Sequence, residues 1–184
     1  MKNIYSNIFS FNKYVLKKTV KSLKQDNIVG LPTETVYGLA GNAYSKKAVR
    51  KIFKIKKRPN KNPLIVHYYD VKAAEKDVIL NSNFIKLYNR FAPGPLTFIL
   101  KKKKKSKVSR LATSNLSTLA IRFPKHKIIR SILKSIKFPL ALPSANLSSG
   151  LSPVNAFDVF DEFKEKLKII INGGKSKIGI ESTV

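Results

Sequence analysis

The 184-residue chain contains no cysteine. Disulfides, zinc–thiolate centres and thiol nucleophiles are thereby excluded. Its two histidines, His67 and His126, fall in separate segments, which argues against a histidine-built zinc site or a catalytic triad. Acidic residues are scarce: ten Asp and Glu stand against 37 Lys and Arg, for a formal charge of +27. No apolar run is long enough to span a membrane. The N-terminal "MKNIYSNIFSFNKYV" mixes Asn, Ser and Lys into its apolar residues. It lacks the continuous apolar core and small-residue cleavage site of a secretory signal, so a cytoplasmic location is expected. Neither G-x-G-x-x-G nor G-x-x-x-x-G-K-[ST] occurs, and Ser144 is not in a G-x-S-x-G elbow. The standard dinucleotide, P-loop and serine-hydrolase readings therefore fail.

What is present suits one compact domain with a real core: 43% of residues are apolar and 26% charged. The positive charge suggests a polyanionic partner, whether nucleic acid, nucleotide or anionic surface. Six of the 37 basic residues are Arg, and Asn and Ile are plentiful. That pattern matches compositional drift in an AT-rich genome. With so few acids the field is real whatever its origin. No internal repeat or linker divides the chain.

Periodicity predicts a helix over Phe11 to Lys24, with Leu16, Val20 and Leu23 on one face, and a buried strand over Ile28 to Leu31 stopped by Pro32. Ser45 is placed to cap a helix carrying Ala48, Ile52 and Ile55, which Pro59 and Pro63 end. "LIVHYY" reads as a strand, and Phe84, Leu87, Tyr88 and Phe91 as a helix face closed by "APGP". "LTFIL" and "TLAIRF" read as two hairpin-joined strands around "KKKKKSKVSRLATSNLS". Ile128, Ile132 and Ile136 form a helix face, "FPLALP" a strand, Asn155 to Lys166 a helix, and "LKIIIN" a last strand before the glycine-rich "GGKSKIGIESTV". Alternating strands and helices with one hairpin predict an α/β or α+β domain built on a mixed sheet.

Three segments carry chemistry. Lys56, Lys57 and Arg58 end a predicted helix. Arg presents a planar fork for phosphate oxygens and Lys a mobile point charge. Asn62 adds a neutral donor. The alternative for this block is a solvated last helical turn, where cations suit the dipole. "LPTETVYGLAGNA" places Thr33, Glu34 and Thr35 just past a strand. It reads as a polar turn lining a cleft, with Tyr37 in the wall and Gly38 and Gly41 allowing close backbone approach. "LALPSANLSSGLSP" sets Ser144, Asn146 and Ser152 after a buried strand, where they bind a ligand or satisfy a turn. The run Lys101 to Lys105 reads as a solvated connection, with a nucleic-acid contact as the alternative. No aromatic residue interleaves with it, so base stacking is not suggested.

Taken in order, "LPTETVYGLAGNA", "KKRPNKNPLIVH", "FAPGPLT", "TLAIRFP", "LPSANLSSGLSP" and "GIESTV" resemble the YrdC/Sua5 family of L-threonylcarbamoyladenylate synthases, over nearly the whole chain from Ile28. The resemblance implies a twisted mixed parallel/antiparallel sheet with flanking helices around a basic concave cleft. It implies that L-threonine, bicarbonate or CO2, and ATP yield threonylcarbamoyl-AMP and pyrophosphate, for later transfer to adenosine 37 of tRNAs reading ANN codons. Carried over by position, Lys56, Arg58, Ser144 and Asn146 form the family's catalytic tetrad at the ATP. Asn62, Thr118, Leu142 and Ser152 are expected on the nucleotide side, and Thr33, Tyr37, His67, Arg122 and Ser182 on the threonine side, Arg122 gripping the carboxylate. No metal ligand is expected from the protein; Mg²⁺ would be held mainly through the ATP phosphates. Expected partners are the three substrates, downstream threonylcarbamoyl-transfer proteins, and tRNA or double-stranded RNA on the basic surface, with no membrane.

Residues 1–184 are expected to form a single domain, truncated at its C-terminal end and without the second domain of the longer family type. The resemblance implies a further segment that brings an Arg near the nucleotide, expected to lie outside residues 1–184. "KKRP" stands where "KGRP" is commoner, so Lys57 adds charge and bulk where Gly is usual. The competing expectation is a non-catalytic RNA-binding module of the same fold. A carbamoyladenylate-forming domain of hydrogenase maturation proteins is disfavoured by the absence of cysteine-rich zinc modules.

Overall fold

Among the residues described in the computed structural model, 5–148 and 150–184, eight strands form one mixed sheet. They are β1 (Ile8–Ser10), β2 (Val29–Leu31), β3 (Gly38–Asn42), β4 (Val66–His67), β5 (Thr97–Lys101), β6 (Thr118–Arg122), β7 (Leu140–Ala141) and β8 (Ile170–Asn172), in the spatial order β1-β8-β2-β3-β7-β4-β6-β5. The β1–β8, β2–β8 and β4–β6 pairs are parallel and the other four antiparallel. The expected mixed α/β sheet is present, as is the hairpin-like pairing of "LTFIL" with "TLAIRF", which runs from Thr97↔Arg122 to Lys101↔Thr118.

Six α-helices flank it: α1 (Lys13–Lys24), α2 (Lys46–Lys56), α3 (Val71–Ala74), α4 (Ser82–Phe91), α5 (Lys127–Ser135) and α6 (Ala156–Phe163). Their starts follow from short polar caps. Asn12, Ser45, Asp70, Asn81 and Asn155 each accept a first-turn N–H, and Asn155 closes a capping box with Asp158. On α1 the buried line is Val15, Thr19 and Leu23, with Leu16 and Val20 packed beside it. The stripe is wider than the predicted face and centred one residue earlier.

Two expected strands are shorter than predicted: "LIVHYY" pairs regularly only at Val66–His67 and "FPLALP" only at Leu140–Ala141. One predicted turn is a strand. β3 is buried from Gly38 to Gly41 and sits centrally between β2 and β7. Its small residues hid it, since they carry little strand propensity. The packing requires them: a Cβ on Gly38 would lie 2.1 Å from the Leu142 side chain, and one on Gly41 2.8 Å from that of Ile28.

The C-terminus of α2 is a Schellman turn. The Arg58 N–H bonds the Phe53 carbonyl at 3.0 Å and the Lys57 N–H the Lys54 carbonyl at 3.3 Å. Lys57 adopts φ 50°, ψ 36°, a left-handed position that glycine occupies without strain. Lys57→Gly is therefore expected to stabilise the protein by roughly 0.5–1 kcal/mol, read as a higher denaturation midpoint in urea at unchanged slope.

Register decides where the ligand cleft lies. One face of the sheet carries Leu39, Ala141, Val66, Ile121, Phe98 and Leu100, covered by a core that includes α2 and α6. On the other face, α1 and α5 cover Val29, Leu31, Ala40, Leu140 and Leu142. That cover stops at β7. The same face continues through His67, Arg122, Thr97, Ala120, Thr118 and Ile99, because in-register neighbours share a face. Ile99 there is 58% exposed. The open stretch of sheet beside α5 is the wall on which the site is built.

Candidate active site

Lys56 is the most constrained of the predicted residues. It is 1% exposed, at the end of α2. Its Nζ donates to the Ser144 carbonyl at 2.7 Å, to the Asn146 carbonyl, and to Asn146 Oδ1 at 3.3 Å. All three ammonium donors are thus spent on the loop after β7. Burial, and then the neighbouring Arg58 charge, lower its pKa to about 8 against the opposing pull of Glu181 and Glu162. Lys56 acts as a strut: it holds the Ser144–Asn146 loop and supplies a fixed charge behind it. Asn146 also donates from Nδ2 to the Gly150 carbonyl. Glu162 Oε1 accepts the Leu147 N–H at 2.9 Å, pinning the loop from α6.

Arg58 is half-buried and turns back on its own loop, with Nε 3.1 Å from the Asn62 carbonyl and Nη2 3.1 Å from that of Pro63. Asn62 is exposed and lends its backbone rather than its amide. Ser152 donates to Glu181 Oε1 at 2.7 Å. Thr118 lies on the open face four residues before Arg122, roughly 13 Å along β6, away from the pocket.

Six predicted residues meet in one small pocket: Thr33, Tyr37, His67, Arg122, Leu142 and Ser144, together with Thr35 and Glu181. Its volume is ≈ 30 Å³, room for about two waters. Other walls carry larger hollows, such as one of ≈ 240 Å³ among Tyr44, Tyr69 and Phe138, but they do not gather these polar groups.

Not every pocket side chain offers a free polar atom. Thr33 Oγ1 donates to the Val36 carbonyl at 2.6 Å and accepts the Thr35 and Val36 N–H groups at 3.2 Å, so it caps its own turn. The Tyr37 hydroxyl donates to the Gly174 carbonyl at 2.6 Å and accepts the Gly173 N–H at 3.0 Å, leaving only its ring to line the wall. Ser182 is 2.8 Å from Thr97 Oγ1, outside the pocket lining. Arg122, expected to grip a ligand carboxylate, is already paired with Glu34 at 2.7 Å. It also donates to Thr35 Oγ1 at 2.9 Å and to the Gly94 carbonyl at 3.3 Å. Of its five N–H groups, two remain.

His67 is different. It is fully buried, and neither ring nitrogen makes a well-formed hydrogen bond among the described residues. Burial and the adjacent Arg122 hold its pKa well below the ordinary value, only partly opposed by the Ile65 backbone. It is therefore a neutral imidazole whose N–H has only the Ile65 backbone nearby and whose other ring nitrogen has no partner among the described residues. A buried polar group left unpaired costs about 1–3 kcal/mol, so its place in a pocket points to a ligand that pairs it.

Glu34 and Thr35 were legible as loop residues but not as partners of Arg122, eighty-odd positions away in sequence. Glu181 carried no signal beyond being one of ten acids. Among the described residues, no group of three His, Cys, Asp or Glu is placed to hold a metal ion. No described helix is long and apolar enough to cross a membrane.

The model of the Sua5/YciO/YrdC family, described as "Telomere recombination", matches residues 21–184. The chain is 41% identical over 165 residues to a threonylcarbamoyl-AMP synthase of Pyrococcus abyssi, covering 88% of this chain and 47% of that protein. It is 40% identical over 176 residues to the threonylcarbamoyl-AMP synthase of Bacillus subtilis, covering 95% and 51%. The crystal structure of P. abyssi Sua5 complexed with L-threonine superposes with a TM-score of 0.91 at 37% identity, over 95% of this chain and 52% of that one. The chain spans about half the length of the curated relatives it matches.

Proposed function

Because the chain belongs to the Sua5/YciO/YrdC family, we propose that it forms threonylcarbamoyl-AMP and pyrophosphate from L-threonine, bicarbonate or CO2, and ATP, acting as a nucleotidyltransferase in the first step of tRNA threonylcarbamoylation. The observation that carries the reading is the buried His67, with a ring nitrogen unmatched among the described residues, in a pocket shared with Arg122 and Ser144, whose carbonyl Lys56 holds. Such a pocket suits a small zwitterion with a hydroxyl. The neutral His67 ring pairs a hydroxyl or carboxyl oxygen, and the two free N–H groups of Arg122 face a carboxylate.

The chemistry needs no enzyme nucleophile. The threonine amine adds to CO2 with loss of a proton to give a carbamate. A carbamate oxygen then attacks the α-phosphorus, forming the new P–O bond as the bond to the pyrophosphate oxygen breaks. Holding the two reactants in line and neutralising developing charge supply the acceleration. Lys56 fixes the Ser144–Asn146 loop and, with Arg58, sets the positive field on that side. Asn62, Thr118, Leu142 and Ser152 complete the nucleotide side in this reading, and Thr33, Tyr37 and Ser182 the framework of the threonine side.

The residues present fit a Mg²⁺ ion only loosely. Glu34 is committed to Arg122, which leaves Glu181 as the pocket carboxylate with an oxygen to offer. Such an ion would be held chiefly by the nucleotide phosphates, whose charge it neutralises. The RNA-binding alternative has no use for a closed pocket with an unpaired imidazole. The location proposed is cytoplasmic, with tRNA and downstream transfer proteins as partners.

The test is pyrophosphate release with ATP, threonine and bicarbonate, each omitted in turn. Release that depends on all three supports the reading. Release indifferent to threonine overturns it, and RNA binding without turnover favours the non-catalytic module.

A further inference from the structure

The sole ion pair within 4 Å among the described residues of this +27 protein is buried beside the pocket. Arg122 is 3% and Glu34 7% exposed. A buried pair is costly to desolvate and is retained where its geometry is needed. Here the geometry is held from both ends. Glu34 Oε1 accepts from Arg122 Nη2 at 2.7 Å, and Oε2 accepts the N–H groups of Lys125 at 3.0 Å and His126 at 3.2 Å, just before α5. The Glu34 carbonyl accepts the Ile178 N–H at 3.0 Å and the Thr35 carbonyl the Gly179 N–H at 2.9 Å, so the acid's own backbone is fixed too.

The hydroxyls run in one direction. Thr33 spends its proton on the Val36 carbonyl, so in the 2.8 Å Thr33–Thr35 contact Thr35 is the donor. Thr35 Oγ1 is therefore left as an acceptor, which is what Arg122 Nη1 meets at 2.9 Å. With the Gly94 carbonyl on Nε, the guanidinium is gripped at all three nitrogens.

We infer that Glu34 is a positioning residue: by bridging Arg122 on Oε1 to the backbone just before α5 on Oε2, it fixes the guanidinium plane so that its two remaining N–H groups meet the carboxylate of the amino-acid substrate. The inference rests on the threonine reading of the pocket. Its ligand-independent part is that Arg122 is immobilised through Glu34. The carboxylate also offsets the Arg122 charge, so that an entering amino-acid carboxylate meets an oriented donor pair rather than an uncompensated cation.

The experiment is a double-mutant cycle with two readouts. The first is the KM for threonine against the KM for ATP in the wild type, Glu34→Gln, Arg122→Ala and the double variant. The second is ¹⁵N resonance of the arginine guanidinium groups, with Arg122 assigned by Arg122→Lys. Glu34→Gln is expected to raise the threonine KM about tenfold, ~1.4 kcal/mol, with the ATP KM unchanged, and to have no further effect in the Arg122→Ala background. Its Arg122 Nη resonances are expected to lose the slow rotation of the wild type. Thr35→Val keeps the ion pair and the side-chain shape. It is expected to shift the threonine KM the same way by a smaller factor, and it serves if Glu34→Gln does not fold. An equal Glu34→Gln effect in both backgrounds, or unchanged Nη rotation, overturns the inference. Slow wild-type rotation lost in Glu34→Gln, with no threonine dependence in the wild type, upholds the clamp and sinks the threonine reading instead.

Discussion

Lys56→Met is expected to lower turnover by about 10²–10³, the usual cost of losing one preorganised charge or donor at a site. The same change is expected to destabilise the fold by roughly 1–3 kcal/mol, because methionine fills the buried volume but leaves the Ser144 and Asn146 carbonyls unpaired. Arg58→Ala provides the contrast. Its side chain is half-buried and touches only its own loop, so turnover is expected to fall with little change in melting temperature. If Lys56→Met lost activity at unchanged stability, the strut would be wrong and the lysine would act on the phosphates alone. The lowered pKa adds a second signature. With a pKa of about 8, the protonated fraction of Lys56 falls as pH rises through that value, so nucleotide binding should weaken over pH 7–9. Bound phosphates favour the charged form, so calorimetry near pH 8 in buffers of different ionisation heat should show proton uptake on binding.

The largest effect on stability is expected at Asp77, far from the site. It is fully buried and takes four donors: the Tyr44 and Tyr68 hydroxyls at 2.7 and 3.0 Å on Oδ2, and the Ser106 hydroxyl and Lys107 N–H at 2.7 and 3.0 Å on Oδ1. Its carbonyl also accepts the Lys103 N–H at 2.8 Å. The carboxylate raises the Tyr44 and Tyr68 pKa values further, on top of burial. Asp77→Ala strands four donors at once, and a cost of about 3–5 kcal/mol is expected, a large share of the 5–15 kcal/mol that holds such a domain. At roughly 2–4 °C per kcal/mol, thermal unfolding should move down by about 10 °C. A shift of a degree or two would show that water replaces the carboxylate. Asp77 also explains the lysine run. Lys101 ends β5 with its side chain exposed, Lys102 is half-buried with Nζ 3.2 Å from Thr113 Oγ1, Lys103 is half-buried with its backbone N–H on the Asp77 carbonyl, and Lys104 and Lys105 are exposed. Three of the five lysines are exposed, as a solvated connection requires, and Lys102 and Lys103 are half-buried.

The sequence by itself determined the elements with strong local signals. The cap at Ser45 and the run "TLAIRF" each specify a local conformation without help from distant residues, whereas the helix face expected at Ile128, Ile132 and Ile136 is displaced: the buried residues of α5 are Ile129, Ile132 and Leu133, and Ile136 lies just past its end. It also determined the motif set, because Lys56, Arg58, Ser144 and Asn146 lie in two short, recognisable segments. It did not determine β3, whose small residues have no strand propensity and are explained only by the side chains of Leu142 and Ile28 pressing on them. Nor could it tell which motif polar groups are free. Thr33 and Tyr37 look like ligand contacts until their turns are folded and their hydroxyls are consumed locally. That the Lys56 donors meet the loop after β7 could not be read from its own segment. The partner of Arg122 lies 88 residues away, and only strand register and the entry to α5 bring Glu34 to it. Local conformation follows from local residue types. Whether a charged or polar atom remains available depends on which distant groups the sheet places beside it, and that is a property of the tertiary structure alone.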